Sequence, residues 1–275
     1  MLGSVVCRYE HFLTEWYARW LAAIGFDNAT ASDLDSPLHV HRKVWEWCAI
    51  AQALYERSML KPGRTACGFA VGEEPLTSMF ASFGVQVLAT DAPDEGSPTR
   101  WQASGQHAAS IDALFNPRLV SREAFGERVK FRPVDMRDIA DLPRETFDFL
   151  WSSCAIEHLG TLESGLEFVQ RSTALLKPGG VAVHTTEYNV SSDDDTVTEG
   201  AAVIYRRHDL EKLDRQLRHI GSGVAKFDFD AGTHRYDLEF DYPPYKEHGR
   251  KHLKLLMDGY VVTSILLVIH KGAPI

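Results

Sequence analysis

Cysteine is scarce, with four in 275 residues, Cys7, Cys48, Cys67 and Cys154, and no two of them close in sequence. A zinc ligand set or a redox pair needs close spacing, so the expectation is free thiols, a reducing cytoplasmic setting and no metal site. A basic surplus is missing too. Lys and Arg number 29 against 38 Asp and Glu, a net charge of -9, which argues against a general nucleic-acid binder because phosphate needs a basic surface. The dense basic groups at Tyr205 to Arg207 and Arg250 to Lys254 read as solvated faces. No apolar run has the length of a membrane span, and Arg8, Glu10, His11 and Glu15 interrupt the beginning of the chain, which does not read as a signal peptide. Val261 to Ile269 is apolar but short, and fits a buried strand near the sheet edge. With 44% hydrophobic and 24% charged residues, the chain suits one globular domain with a sizeable core.

What is present is punctuation between strands and helices. In RTACGFAVGEEP, Arg64 to Pro75, small and apolar residues give way to glycines and then to acids, the pattern of a strand turning tightly into a helix N-terminus. Gly68 and Gly72 hold the outer positions of a Gly-x-Gly-x-Gly pattern, with Ala70 in the middle. Such a turn lets backbone N–H groups approach a ligand, and it also serves simple packing in an α/β domain. A helix from about Glu74 to Phe83 and a strand from Val85 to Thr90 follow, ending in Asp91 where nucleoside-binding units carry the acid that grips ribose hydroxyls. Phe147 to Trp151 reads as a strand covered on both faces. Leu162, Leu166, Val169, Thr173 and Leu176 have helical spacing, Lys177 to Gly180 end that helix, and Val181 to Thr186 is the next strand. Alternation of this kind predicts a mostly parallel sheet with helices on both faces and ligands at the carboxyl ends of its strands.

The flanks are less regular. Phe12, Trp16, Trp20 and Ile24 predict an amphipathic helix over Tyr9 to Ile24. A second is predicted over His41 to Met59, with Val44, Trp47, Cys48, Ala51, Leu54 and Tyr55 inward. Between the second and third strands, Trp101, Gln106 and His107 begin a long connection that is either a lid over a ligand or surface decoration. Asp193, Asp194, Asp195 and Glu199 follow the fifth strand and read as a solvated loop in preference to a cation site, since three adjacent acids cannot all face one ion. A helix over Asp209 to His219, a strand over Val224 to Phe229 and a proline turn at Asp241 to Tyr245 complete the chain. That turn could wall a substrate pocket.

From about residue 60 to 190 the chain resembles the class I S-adenosylmethionine-dependent methyltransferases. CGFAVGEEP looks like their glycine-rich cofactor loop, LATD like the strand with the ribose acid, VKFRPVDMRDI like the third strand with an adenine-side acid, FDFLWSSCAIEHL like the fourth strand and its exit, and LLKPGGVAVHTTEYN like the fifth. The departure is Ala70 in place of the middle glycine. The resemblance implies a Rossmann-like class I methyltransferase fold: a seven-stranded mostly parallel α/β sheet with helices on both faces. Residues 1–60 would be an N-terminal helical extension covering the cofactor site, and 61–275 the methyltransferase domain, with insertions at about 97–125 and 188–205. S-adenosyl-L-methionine would be the cofactor, held by Gly68, Phe69, Ala70, Gly72, Asp91, Ala92, Asp135, Met136 and Ser153, with Lys43 reaching its carboxylate.

Methyl transfer to a hydroxyl needs a base, and a neutral histidine suits that task at physiological pH. His158 is the expected base with Glu187 as its orienter or a second base, although the Glu157–His158 pair also suits a helix start or a cofactor contact. Trp101, Gln106, His107, Glu157, Tyr188 and Asn189 are the expected substrate contacts. The flanking segments resemble methyltransferases of polysaccharide or glycan biosynthesis, which implies O-methylation of a sugar or glycan. Another small metabolite as acceptor, and a noncatalytic cofactor-binding module of a glycan-assembly complex, stay open beside it. The partner expected is thus a small molecule or glycan, with no nucleic acid, no membrane span and room for a homodimer.

Overall fold

Residues 1–25, 40–93 and 107–272 are described by the computed structural model. The short apolar runs in the middle of the chain become parallel strands: β2 (Thr65–Gly68), β3 (Gln86–Asp91), β4 (Val129–Pro133) and β5 (Phe147–Ser153), followed by β6 (Leu176–Asn189). β5 is buried at all seven positions, as a strand covered on both faces must be. The remaining strands are the short β1 (Ser4–Val5), β7 (Ser222–Val224), β8 (Phe227–Asp228) and β9 (Leu255–Met257), and the long β10 (Tyr260–Lys271). The main sheet runs β4-β3-β2-β5-β6-β10-β7, with β9 paired to β10, while β1 and β8 form a separate parallel pair. β10 is antiparallel to β6 and to β7. Strand order therefore departs in both directions from β2, which pairs with β3 on one side and β5 on the other. A crevice opens at the carboxyl ends of strands at such a switch point, and ligands bind there.

The helices are α1 (Glu15–Ala23), α2 (Arg42–Glu56), α3 (Leu76–Ser82), α4 (Arg122–Arg128), α5 (Leu162–Ser172), α6 (Arg207–His219) and the short α7 (Arg235–Leu238). The class I Rossmann-like architecture expected from the sequence is the one observed. Several local expectations are corrected. The first helix breaks at Thr14, whose extended backbone and side chain cap α1 through Tyr17 N–H, leaving Tyr9–Leu13 as a 3-10 turn. Thr173 and Leu176 do not continue α5: a 3-10 turn ends it, and Leu176 already pairs with Phe147 in the sheet. Val261 to Ile269 is the exception and lies as expected, buried from Val262 onward and one strand in from the edge formed by β7. The strand expected over Val224 to Phe229 divides between β7 and β8, which join different sheets. Tyr55 points outward, 47% exposed beneath Arg19, and Trp45 takes the inward place.

α2 packs across β5, β6 and β10. His41 accepts from Lys43 N–H at its N-cap, so its first turn, with Arg42, Lys43 and Glu46, lies over the strand exits. That single placement builds most of the polar site.

The glycine turn has two separate physical reasons. A Cβ on Gly68 would lie 2.3 Å from the ring of Trp151, its partner across β2 and β5, and that ring is fixed edge-on by Phe80 at 5.0 Å. Ala70 and Gly72 both take positive φ, 47° and 52°, so alanine occupies a left-handed position that favours glycine. Thermal melts of two variants check this reading. Gly68→Ala should lose about 1–3 kcal/mol by overpacking. Ala70→Gly should gain roughly 0.5–1 kcal/mol, the relief of left-handed strain less the entropy of glycine in the unfolded chain.

Candidate active site

A cavity of about 470 Å³ lies over the switch point, within the range of small-molecule and cofactor sites. Its floor is the β2–α3 turn, with Ala70, Gly72 and Glu74 on the wall. Asp91 and Ala92 follow from the end of β3, and Asp135 and Met136 from the exit of β4. Ser153, Cys154 and His158 come from the exit of β5, and Lys43 and Trp47 from α2 close the top. Lys43 and Trp47 are one helical turn apart, which puts both on the face over the cavity.

Asp91 is buried and ties the turn together. Its Oδ2 accepts from Gly72 N–H at 2.9 Å and Ala108 N–H at 3.1 Å, and its Oδ1 accepts from Ala92 N–H at 2.8 Å. A carboxylate offers about four acceptor directions, so one remains for a ligand hydroxyl. His107 hydrogen-bonds Ala92 O through Nε2 at 2.8 Å and stands 4.0 Å from Asp91 Oδ1, at the Asp91 end of the cavity. Asp135 holds Arg137 through both carboxylate oxygens, and those hydrogen bonds keep its carboxyl below the usual range. At the α2 end, Lys43 Nζ donates to Ser153 O and Oγ, both at 3.0 Å, and pairs with Glu74 at 2.8 Å and Glu46 at 3.3 Å. Burial works against the Lys43 charge, but Glu46 and Glu74 outweigh it and raise its pKa. Burial raises Glu74, with Lys43 opposing. Glu74 Oε2 and Trp47 Nε1 are buried on this wall and complete no hydrogen bond.

Beneath the exits of β5 and β6 lies a buried polar layer. Glu46 is fully buried and accepts from Ser153 Oγ, Cys154 Sγ and Ser264 Oγ; burial pushes its pKa up, and Lys43 and Arg42 bring it below the usual carboxylate range. Arg42 forks onto both oxygens of Glu187. Glu187 is nevertheless raised, because burial outweighs Arg42. Glu157 accepts from Thr186 Oγ1 at 2.9 Å through Oε2, while its buried Oε1 has no hydrogen-bond partner. Burial, then the charge of Glu187, pushes Glu157 up to about 8. His158 lies above this layer. Its Nδ1 hydrogen-bonds Ala201 O at 2.7 Å and its Nε2 is 3.8 Å from Glu157 Oε1. A carbonyl only accepts, so Nδ1 carries the proton and Nε2 the lone pair.

Of the residues singled out in the sequence, Ala70, Gly72, Asp91, Ala92, Asp135, Met136, Ser153, Lys43, His107 and His158 share the cavity wall. Gly68 serves the Trp151 contact, and Phe69 is buried edge-on against Phe168. Glu157 and Glu187 lie in the buried layer, not on the wall. Tyr188 stacks on Phe229, and Asn189 caps the following loop by accepting from Ser191 and Ser192 N–H, so neither reaches the cavity. Trp101 and Gln106 fall outside the described residues. Arg42, Glu46, Trp47 and Cys154 were not singled out as site residues. The crowding of charges in HRKVWEW was the available signal for the first three, and Cys154 had none.

Residues 69–184 match the family model described as a methyltransferase domain. This segment is a methyltransferase domain, a transferase whose cofactor is S-adenosylmethionine. No curated protein sequence matches the chain. Among solved structures, the magnesium protoporphyrin IX methyltransferase ChlM from Synechocystis PCC 6803, with bound SAH, is similar at 13% identity and a TM-score of 0.51, covering 96% of this chain and 97% of that one. The [4+2]-cyclase SpnF is similar at 14% identity and a TM-score of 0.53, covering 84% of each chain. Both likenesses are of fold, and a cyclase among them shows that one architecture carries different chemistries.

The residues present fit the cofactor. The cavity has the volume, Asp91 keeps an acceptor direction for a ribose hydroxyl, and the unpaired Glu74 Oε2 suits the cationic amino group at the methionine end.

Proposed function

We propose that this chain transfers a methyl group to a hydroxyl of a small polar acceptor, with a sugar or glycan as the acceptor class. S-adenosylmethionine, when bound, supplies a methyl group already activated on a sulfonium. Asp91 would hold the ribose, Asp135 and Met136 the adenine, and Lys43 and Glu74 the charged amino-acid end. The protein's remaining tasks are to exclude water, align the acceptor oxygen and take its proton.

The observation that carries the reading is His158 on the cavity wall, with its proton pinned at Nδ1 by Ala201 O and its basic nitrogen at Nε2. The acceptor hydroxyl gives its proton to Nε2, and the imidazolium formed keeps its Nδ1–H on Ala201 O. Glu187, forked by Arg42, acts on the electrostatics of Glu157 and not as a second base. A sugar suits a wall of mixed polar tips and one indole face, Trp47.

Incubation of the chain with labelled cofactor and a panel of nucleotide sugars, oligosaccharides, phenols and amines tests this. Label transferred to a sugar hydroxyl supports the proposal; transfer confined to amines would refute the oxygen chemistry, and transfer confined to phenols would refute the sugar.

A further inference from the structure

Cys154, Glu157 and Glu187 converge below the cavity, with one ligand-type atom from each within 4.8 Å of the others. Convergence of acids is common, but three further facts set this group apart. Glu157 is fully buried and its Oε1 has no hydrogen-bond partner, so one member of the cluster carries an unsatisfied acceptor. Cys154 lines the cavity wall while its thiol donates to the buried Glu46 at 3.1 Å, so the cluster adjoins the cavity. The charge around the cluster does not balance. Glu46, Glu74, Glu157 and Glu187 are countered by Arg42 and Lys43, four carboxyls for two cations, with Lys43 and Glu74 on the cavity wall and the other four groups largely buried behind it. Neutrality there requires two protons, or one divalent cation held by the Cys154 thiolate with one carboxyl proton retained.

We propose that Cys154, Glu157 and Glu187 form a site for a zinc-class divalent transition-metal ion. One thiolate and two carboxylates are a donor set for Zn²⁺ or Co²⁺, whereas Mg²⁺ and Ca²⁺ take oxygen ligands only. Binding releases the Cys154 thiol proton and the Glu157 carboxyl proton, so the ion replaces two protons and the local charge stays balanced. Ligand atoms around one zinc lie roughly 3.3–3.7 Å apart, so the three side chains contract by about an ångström. Glu187 keeps Arg42 on one oxygen and gives the other to the ion. Three protein ligands leave a fourth position, which opens toward the cavity beside Cys154. An acceptor hydroxyl bound there would be acidified next to His158, a role that rests on the function proposed above; the ion site itself does not.

The test uses the whole chain, stripped with chelator and titrated with Co²⁺ by absorption spectroscopy and with Zn²⁺ by equilibrium dialysis. One equivalent should bind at micromolar or tighter affinity, with a thiolate-to-cobalt charge-transfer band. Cys154→Ser should abolish the band, and Glu157→Gln, which keeps the Thr186 contact, should weaken binding about 100-fold or more. Circular dichroism melts establish that both variants fold. Absence of stoichiometric binding overturns the site, as does cobalt binding with no thiolate band or with affinity unchanged in Glu157→Gln. Tight binding with the band in a chain that methylates no panel acceptor upholds the site while refuting the methyl-transfer reading, so the two failures are distinct.

Discussion

Turnover in His158→Ala should fall by about 10²–10⁴-fold, the range for loss of a positioned general base, with cofactor affinity nearly unchanged. The reason is geometric. His158 is a wall residue whose Nδ1–H is held by a backbone carbonyl, Ala201 O, which makes Nε2 its basic nitrogen. His158→Asn separates chemistry from structure, because its amide N–H₂ can still donate to Ala201 O while offering no basic nitrogen. Both variants should melt within a few degrees of the parent and lose kcat more than KM. Parent-like kcat in His158→Asn would remove this residue as the base and return the Glu157–His158 pair to a structural role.

Arg42→Ala should destabilise the fold by about 3–5 kcal/mol, the expected cost of removing one member of a buried ion pair. Arg42 is forked onto Glu187 and also donates to Ser264 Oγ, and the charges of Glu187 and Glu46 both act on it. Without the guanidinium, the buried Glu187 carboxyl is pushed further up by the same burial that already raises it. A carboxyl raised in the folded state contributes stability that is fully present below its unfolded value and lost as pH rises through its folded value. Denaturant melts should therefore show the variant nearest the parent at about pH 5 and furthest from it above pH 8. Glu187→Gln in the same chain should recover much of the loss. A deficit independent of pH would mean that Arg42 acts by packing alone.

The sheet was legible because its strands are short apolar runs between glycine and acidic punctuation, and the residues at their exits, Asp91, Asp135, Ser153 and His158, come to one cavity for the reason the switch point gives. Elements defined by one capping residue were less legible. Thr14 divides a stripe of aromatics that periodicity alone runs together. Gly165 carries no signal in the sequence, yet a Cβ there would collide with Tyr205 Oη, so this small residue seats a buried tyrosine 40 positions away in sequence. The buried layer was hidden for a similar reason. Glu46 and Arg42 look like solvent-facing charges on an amphipathic helix, and only the packing of α2 over β5, β6 and β10 turns them toward the exits of the strands. Tyr188 and Asn189 show the reverse: they follow Glu187 in sequence, but alternation along β6 and the loop after it send them to Phe229 and to Ser191 and Ser192.

The central claim is that S-adenosylmethionine binds in the cavity at the exits of β2 and β3, with Asp91 on its ribose. Titration calorimetry with S-adenosylhomocysteine measures it most directly, on the parent and on Asp91→Asn, which loses the carboxylate charge and presents an N–H₂ group to the amides of Gly72 and Ala108. One saturable site per chain is predicted, weakened about 10- to 100-fold in the variant by the loss of charge-assisted hydrogen bonds. No heat with the parent, or equal affinity in a folded Asp91→Asn, would contradict it.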